Sequence, residues 1–244
     1  MSLVLKNPHS VLAALKCRPH DVVDIRLPAG KPSPAWNEVI ELARQHQIPI
    51  RTNLAEEPRR NAKEGKFERT GAAQATVRER NGLLVEELFA EASASPGLWL
   101  ALDCLQDPHN VGALFRTASF YGIKGIILTR DRSAPLTSTV YDVAAGGLEY
   151  VPFGEPTNMA RAMNIAKAAG VWLLGASEHA EQDVSQIPRD RSWMLILGNE
   201  ELGLRRLTLE KCDQVCKLTA RGDVPSLNVS VAGGILMAEL SRAV

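Results

Sequence analysis

The stretch LWLALDCLQDPHNVGALFRTASFYG, residues 98–122, contains the unit that decides the fold. Its first eight residues are apolar apart from Asp103, which is typical of a strand buried on both faces. A polar turn follows, and residues 111–122 then have the spacing of a helix that ends at Gly122. A strand, a loop and a helix in this order predict one repeat of an α/β fold.

The same alternation continues towards the C-terminus. It predicts strands at 125–128, 149–153, 171–177, 192–198 and 215–219, and helices at 137–147, 157–170, 207–214 and 226–243. Thr157 is the expected N-cap of the second of these helices. Regular alternation favours an α/β fold with a mostly parallel sheet covered on both faces. Such sheets bind ligands beyond the carboxyl ends of their strands.

The first part of the chain predicts a smaller α/β domain over residues 1–90. Its pattern indicates helices at 9–16 and 34–47 and strands at 22–28 and 48–53. The sequence EASASPG at 91–97 interrupts the pattern and is interpreted as a linker. Residues 98–244 then form the second domain.

Residues 51–80 carry eight Lys or Arg and five Glu. Two interpretations remain open for this mixed run. It is either a solvated, partly mobile loop or a contact for an RNA backbone, since basic segments neutralise phosphates.

The whole chain has 28 basic and 28 acidic residues, so its formal charge is zero. This balance excludes a polycation and leaves only local basic patches for nucleic-acid contacts. The four cysteines lack C-x-x-C spacing, which argues against a zinc site and for reduced thiols in a cytoplasm. The sequence contains neither G-x-G-x-x-G nor a P-loop, so the usual dinucleotide and nucleotide sites lose support.

The N-terminus lacks the apolar run of a signal peptide. The longest uncharged run, residues 224–238, is too short and too polar to span a bilayer. We therefore expect a soluble, cytoplasmic protein that does not contact a membrane.

Residues 107–120, DPHNVGALFRTASF, form the first candidate motif. We expect Asn110 to cap the helix and Arg116, six residues later, to reach back towards the same helix end. A capped helix with a surface arginine is one interpretation. The other is an amide and a guanidinium that together bind an anion or a ribose.

Residues 194–207, MLILGNEELGLRRL, form the second motif, in which a buried strand runs into Gly198. Glu200 is either an exposed acid in a turn or a carboxylate that faces a ligand. In the second interpretation, Gly198 lets the ligand lie against the backbone.

The third motif lies in GDVPSLNVSVAGGILMAEL, residues 222–240. Ser226 is the expected N-cap of the last helix, but a cap alone does not explain Asn228 and Ser230. Small residues at this point permit close approach of another backbone segment, and a helix N-terminus favours a carboxylate or phosphate.

Together the three segments resemble the motifs of the SpoU (TrmH) family of RNA ribose 2′-O-methyltransferases. The matches are N-x-G-x-x-x-R-[ST]-A at 110–118, G-x-E-x-x-G-L at 198–204 and S-L-N-V-S-V-A at 226–232. Segments at 9–15 and 69–71 are more loosely similar to the N-terminal RNA-binding domain of some members. The resemblance implies a deep C-terminal trefoil knot, S-adenosyl-L-methionine as cofactor, an RNA substrate and a homodimer.

Carried over by position, the resemblance also implies the site residues. The implied catalytic set is Asn110, Arg116, Glu200, Ser226 and Asn228. The implied cofactor contacts are Gly175, Ala176, Gly198, Leu218 and Leu227. In the family, the catalytic arginine faces the cofactor of the partner subunit. No metal is expected.

The chain departs from the family pattern at several positions. The family often has I-P-M where this chain has Leu218, Thr219 and Ala220, and it has glycine near position 7, where this chain has Asn7. Glu201 also replaces a common glycine. Ribosomal RNA is the expected substrate because of the extra N-terminal domain, and transfer RNA is the second choice. A knotted RNA-binding protein without methyl transfer and an unrelated α/β enzyme remain as alternatives.

Overall fold

The computed structural model of the chain describes residues 1–30, 32–52, 73–92 and 96–241. Most of the charged segment 51–80, including the motif at 69–71, lies outside the described residues, as does the middle of the predicted linker. The described residues contain two β-sheets, each with its own helices.

The elements of the N-terminal unit are β1 (Ser2–Leu5), α1 (Pro8–Cys17), β2 (Val22–Leu27), α2 (Ala35–Gln45), β3 (Ile50–Thr52) and β4 (Gln74–Arg78). The sheet order is β1-β4-β2-β3. β2 and β3 are parallel, whereas β4 runs antiparallel to β1 and β2. The two predicted helices and two predicted strands are confirmed. The sequence pattern does not predict β1 or β4.

Local chemistry explains both N-terminal helices. α1 begins after Asn7, whose side chain accepts a hydrogen bond from the His9 N–H at 2.9 Å, and Pro8 occupies the first helical position. α2 buries Trp36, Val39 and Ala43. These residues share one helical face, and that face packs into the core.

The second unit follows the order α3 (Val85–Leu88), β5 (Leu98–Leu102), α4 (Pro108–Phe120), β6 (Ile126–Leu128), α5 (Ser138–Ala144), α6 (Gly147–Tyr150), β7 (Phe153–Gly154), α7 (Met159–Ala168), β8 (Trp172–Ala176), β9 (Gln182–Asp183), β10 (Trp193–Leu197), α8 (Arg206–Lys211), β11 (Gln214–Lys217) and α9 (Val229–Ser241). Its sheet order is β7-β6-β5-β10-β8-β11-β9, and every neighbouring pair is parallel. The predicted α/β fold class with a mostly parallel sheet is confirmed.

Both faces of this sheet are buried, as the apolar strands predict. Along β5, Leu98, Leu100 and Leu102 point into a core that includes residues of α4 and α9. Trp99 and Ala101 point into a second core that includes residues of α3 and α7. The near-continuous apolar composition of the strand follows from this double burial.

Two local predictions around α6 and α7 are wrong. Residues 149–150 belong to α6 rather than to a strand, because the Glu149 side chain turns into the protein and binds a buried arginine. The N-cap of α7 is Asn158 and not Thr157, since the Asn158 side chain accepts from the Arg161 N–H at 3.1 Å.

Polar contacts join the N-terminal unit to α5 and α6. The Arg18 guanidinium donates two hydrogen bonds of 2.7 Å to the Glu149 carboxylate. Burial by itself lowers the pKa of Arg18, but the Glu149 hydrogen bonds and charge outweigh it and hold the pKa above its ordinary value. Nearby, Asn7 donates through its side chain to the Asp142 carbonyl at 2.6 Å, and the Asp142 carboxylate accepts from the Asn7 N–H at 2.9 Å.

The segment before the predicted linker packs with the second sheet. Val85 and Leu88 of α3 lie in the same core as Trp99, and the Trp99 indole donates to the Leu88 carbonyl at 2.9 Å. The Leu83 N–H also donates to the Phe153 carbonyl at 2.7 Å. This packing places residues 83–92 beside the second unit. The domain boundaries at 1–90, 91–97 and 98–244 stay a prediction.

Candidate active site

The candidate site lies where four neighbouring parallel strands end. β5, β10, β8 and β11 are adjacent in the sheet, so their carboxyl ends share one edge. The three motifs begin at or just after this edge, and the two small residues after Leu174 are the last residues of β8. This arrangement agrees with the expectation that ligands bind at the carboxyl end of the sheet.

A chain of hydrogen bonds connects one residue from each motif. The Asn228 side-chain amide donates to the Asn110 side-chain oxygen at 3.0 Å. The Asn110 amide in turn donates to Glu200 Oε1 at 3.1 Å. Asn110 is buried, so these two partners satisfy its acceptor and one of its donors and hold the amide in one orientation. The structure therefore brings together three of the five predicted catalytic residues.

The role expected of Asn110 as a helix cap is wrong. α4 begins earlier, and its N-cap is Asp107, whose side chain accepts from the His109 N–H at 2.8 Å. Asn110 is thus in the first turn of the helix. Because the cap is made by another residue, the Asn110 side chain is available to Glu200 and Asn228.

The expected cap of α9 is also wrong. The helix begins at Val229, and Asn228 accepts from the Ser230 N–H at 2.9 Å and from the Ser230 hydroxyl at 2.6 Å. Ser226 lies before the helix and is exposed. Asn228 therefore caps α9 with its side-chain oxygen and contacts Asn110 with its amide, which explains a polar residue at this helix start.

The loop after β10 is folded tightly against its own strand end. Asn199 and Gly203 exchange two backbone hydrogen bonds, of 3.0 and 2.9 Å. A Cβ on Gly198 would lie 2.2 Å from the Gly203 carbonyl carbon and 2.4 Å from the Leu204 nitrogen. Only glycine permits this approach. The space beside Gly198 is filled by the chain itself, and this packing holds Glu200 towards Asn110.

Sequence reasoning missed two side chains that support this loop. Asn199 donates to the Cys104 carbonyl at 3.0 Å and accepts from the Glu201 and Leu202 N–H groups. Asp103, fully buried after β5, accepts hydrogen bonds from Arg205 and from the Thr208 hydroxyl. An acid inside an otherwise apolar strand end was the available signal for the second of these.

Comparisons with known proteins identify the family of this chain. A protein-family model described as the SpoU rRNA Methylase family matches residues 97–238. The chain belongs to the SpoU rRNA methylase family. It is 37% identical over 235 residues to the 23S rRNA (guanosine-2′-O-)-methyltransferase RlmB of Pseudomonas putida, covering 96% of this chain and 94% of that protein. The RlmB of Neisseria meningitidis is 35% identical, with 96% of this chain and 92% of that protein covered.

Solved structures show the same fold. The SpoU methyltransferase AviRb from Streptomyces viridochromogenes superimposes with a TM-score of 0.79 at 19% identity, covering 99% of this chain and 89% of that one. AviRb in complex with the cofactor AdoMet gives a TM-score of 0.79 at 18% identity, with 99% and 90% covered. Both units of this SpoU member are included in these alignments.

In this family member, the loop after β11, where cofactor contacts are predicted, can hold a ligand through main-chain groups. Within the described chain, the backbone of residues 220–224 and of Ser226 and Leu227 makes no hydrogen bond. These donors and acceptors follow directly on Leu218, which packs partly buried against the core. They are available for the polar groups of S-adenosyl-L-methionine.

The other predicted cofactor contacts lie at the same edge with different surroundings. Gly175 and Ala176 end β8. A Cβ on Gly175 would meet the side chains of Leu204 and Cys212 at 2.9 and 3.0 Å, so glycine is required for packing there. Leu227 is half exposed in the segment before α9.

Arg116 lies apart from the chain of hydrogen bonds. Its side chain is exposed and lines a cleft between α4 and the α5–α6 turn. It makes no hydrogen bond or ion pair with another side chain in the part of the molecule that the structure describes. Within one subunit, the described residues show no contact of Arg116 with the N-terminal end of α4, and its expected position there stays a prediction.

Burial disfavours the thiolate form of two cysteines near this edge. Burial raises the pKa of Cys212 and of Cys216 to about 12, so both remain protonated near neutral pH. Among the residues with described positions, no cluster of His, Cys, Asp and Glu could hold a metal ion. No helix in the described ranges is both long enough and apolar enough to cross a bilayer.

Proposed function

We propose that this SpoU family member transfers a methyl group from S-adenosyl-L-methionine to the ribose 2′-hydroxyl of a guanosine in 23S ribosomal RNA. The enzyme is an RNA 2′-O-methyltransferase. Relatives that carry the name of this activity align over almost the whole chain. The observation that carries the proposal is the connection of all three motifs through Asn228, Asn110 and Glu200 beside the unbonded backbone of 220–227.

S-adenosyl-L-methionine, when bound, supplies a methyl group on a sulfonium that is already activated for transfer. The task of the protein residues is therefore to place and orient the ribose. Positioning of this kind contributes on the order of 7–11 kcal/mol to lowering a barrier. Asn110 serves this purpose because its amide is fixed by Glu200 on one side and Asn228 on the other. Ser226, two residues before Asn228, has its hydroxyl exposed to an incoming RNA.

Arg116 is proposed as a clamp for the ribose and its phosphate. A guanidinium has a pKa above ~12. Using it as a neutral base near pH 7 would cost about five pKa units at roughly 1.36 kcal/mol each, on the order of 7 kcal/mol. A charged, planar fork that holds the substrate avoids this cost. Since Arg116 is exposed and lies apart from Asn110, we propose that it acts on the edge of a partner subunit in a homodimer.

We propose that the protein is a cytoplasmic homodimer. In each subunit, the segment at 218–228 is proposed to pass through a trefoil knot. The exposed apolar residues Val231 and Ile235 on α9, a helix that also packs against α4, support a second copy on this face. Mass measurement by light scattering tests the dimer, and a monomeric active enzyme would contradict it.

The activity is tested with purified protein, methyl-labelled S-adenosyl-L-methionine and unmodified 23S rRNA. We expect label in the RNA at one ribose, mapped by resistance of the adjacent phosphodiester bond to alkali. Asn110→Ala should lose about 10²-fold in turnover, because the ribose is no longer oriented. Labelling of transfer RNA instead would overturn the substrate assignment.

The variant Arg116→Lys distinguishes between two roles of Arg116, a clamp for the substrate and a general base. Lysine keeps the charge and is easier to deprotonate, but it lacks the planar fork. We expect a large loss of turnover; a variant as active as the wild type would contradict the clamp. Calorimetry with S-adenosyl-L-methionine distinguishes an enzyme from an RNA-binding protein that takes up no cofactor.

A further inference from the structure

The cleft beside Arg116 has a volume of about 440 Å³ and lies between α4 and the turn that joins α5 to α6. Its lining includes Phe120 from the end of α4 and Tyr150 from the end of α6. Both aromatic residues lie outside the family matches at 110–118, 198–204 and 226–232. The cleft is within the range of sizes that accept small organic groups.

The floor of the cleft is built by close backbone packing. A Cβ on Gly147 would lie 2.6 Å from the Phe115 carbonyl oxygen and 2.8 Å from Arg116 Cα, so α6 rests directly on α4. The turn before it contains Ala145 at φ +48° and Gly146 at φ +98°. Ala145 ends α5 in the left-handed conformation that is common at the C-terminus of a helix.

The rim of the cleft presents two exposed rings. The exposed fraction is 81% for Phe120 and 53% for Tyr150. Exposed aromatic side chains at a groove are the usual platform for unstacked bases of RNA, because every base has a flat face that stacks on a ring. The Arg116 guanidinium beside them can bind a phosphate or stack on a base.

We propose that this cleft binds an unstacked nucleobase of the substrate RNA, with Tyr150 as the stacking surface and Arg116 at the adjoining ribose and phosphate. This assignment rests on the proposed function and names residues that recognise the substrate. RNA is favoured because the cleft combines exposed rings, on which a base can stack, with a guanidinium that has no carboxylate partner among the described side chains.

The test measures binding of unmodified 23S rRNA by the full-length protein at fixed salt. Tyr150→Ala should weaken binding roughly 5- to 150-fold, the usual range for loss of one stacked base. Tyr150→Phe keeps the ring and should bind like the wild type. Trp172→Ala removes an exposed ring outside the cleft and should not change RNA binding. Affinity for S-adenosyl-L-methionine should be the same in all four proteins.

Equal RNA binding by Tyr150→Ala and the wild type would overturn the proposal. The mass of the assembly in solution provides a second check. If Tyr150→Ala is a smaller assembly than the wild type, Tyr150 contacts a second copy of the chain instead of RNA, and the proposal is overturned. If Tyr150→Ala does not fold, Phe120→Ala provides the same comparison, since most of that ring is already in solvent. If the wild type binds RNA through Tyr150 but methylates none, the proposed function fails while the cleft assignment stands.

Discussion

The polar cluster of the candidate site and the junction between the two units use the same types of side chain in opposite surroundings. At the site, Glu200 and Asn228 are exposed and only Asn110 between them is buried. At the junction, the exposed fraction of the side chain is 9% for Arg18 and 1% for Glu149.

This difference predicts which region contributes to stability and which contributes to activity. Exposed polar groups regain water when a partner is removed, so changes there affect the fold little. A buried ion that loses its partner has no such replacement. We therefore expect substitutions at the junction to reduce stability and substitutions at the site to reduce activity.

The largest effect is expected from Glu149→Gln, which removes the charge that balances buried Arg18. Breaking a buried ion pair costs about 3–5 kcal/mol. The free energy of unfolding, measured with urea, should fall by this amount, while the folded fraction keeps its affinity for S-adenosyl-L-methionine.

Arg206→Met is the matched control, because Arg206 pairs with Glu210 in solvent at 2.8 Å and its loss should change stability little. Removing both buried charges, in Arg18→Met combined with Glu149→Met, should recover part of the loss. A Glu149→Gln protein as stable as the wild type would contradict the expectation that the junction contributes to stability more than the site does.

The second effect concerns activity. In the wild type, the Glu200 carboxylate accepts a hydrogen bond from the Asn110 amide and a weaker one from the Asp107 N–H. Glu200→Ala removes this acceptor, so the Asn110 amide is no longer oriented by it. Hydrogen bonds to charged groups contribute about 1.5–3 kcal/mol, which corresponds to roughly a 10- to 150-fold loss of kcat/KM. Glu200→Gln keeps an oxygen at this position and should lose less. Unfolding by urea should be nearly unchanged in both, and a large destabilisation would show that the site also holds the fold.

The sheet and the motif cluster could be predicted from the sequence because both depend on local pattern. Strands such as β5 and β10 are apolar at every position, since both faces of the sheet are covered. The motifs lie at strand ends, and parallel strands bring their ends to one edge. These two facts suffice to place Asn110 near Glu200.

The rest depends on contacts between distant residues. Arg18 and Glu149 are 131 positions apart, and nothing near either residue indicates the pairing. The same holds for β1 and β4, which are short and gain stability only from their neighbours. The cap of α4 was missed because Asp107 and Asn110 are both good N-cap residues, and only the structure shows which of them starts the helix.

A third, intermediate effect is expected from Asn7→Gly, which introduces the residue that the family has near this position. The Asn7 side chain caps α1 and donates to Asp142 across the junction. Losing a cap costs about 1 kcal/mol, or less when glycine replaces it, and losing the hydrogen bond costs about 1 kcal/mol more. Asn7→Ser keeps a capping oxygen and loses the amide donor without adding a charge beside Asp142, so it isolates the contribution of the junction. Equal stability of Asn7→Ser and the wild type would show that the Asp142 contact contributes nothing.

The smallest effect concerns Thr219, where the family often has proline. The Thr219 hydroxyl and N–H both donate to Asp183 Oδ2, at 2.6 and 3.2 Å, and proline could supply neither bond. These bonds, with those from Ser185, hold the pKa of Asp183 well below its ordinary value. The pKa is lowered in the folded state, so the stabilisation is present above the ordinary pKa near 3.8 and is lost as the pH falls below it.

Thr219→Val should therefore raise the pKa of Asp183 towards its ordinary value, as followed by carbon NMR of the carboxyl group. It should also weaken binding of S-adenosyl-L-methionine a few-fold, because Leu218 beside it loses its anchor. Ser185→Ala is the control, since it removes a hydroxyl from the same carboxylate at 2.7 Å and leaves residue 219 unchanged. A rise in pKa in both variants with weaker cofactor binding only in Thr219→Val would assign Thr219 to the cofactor edge. Equal cofactor affinity in both would limit its role to the local fold.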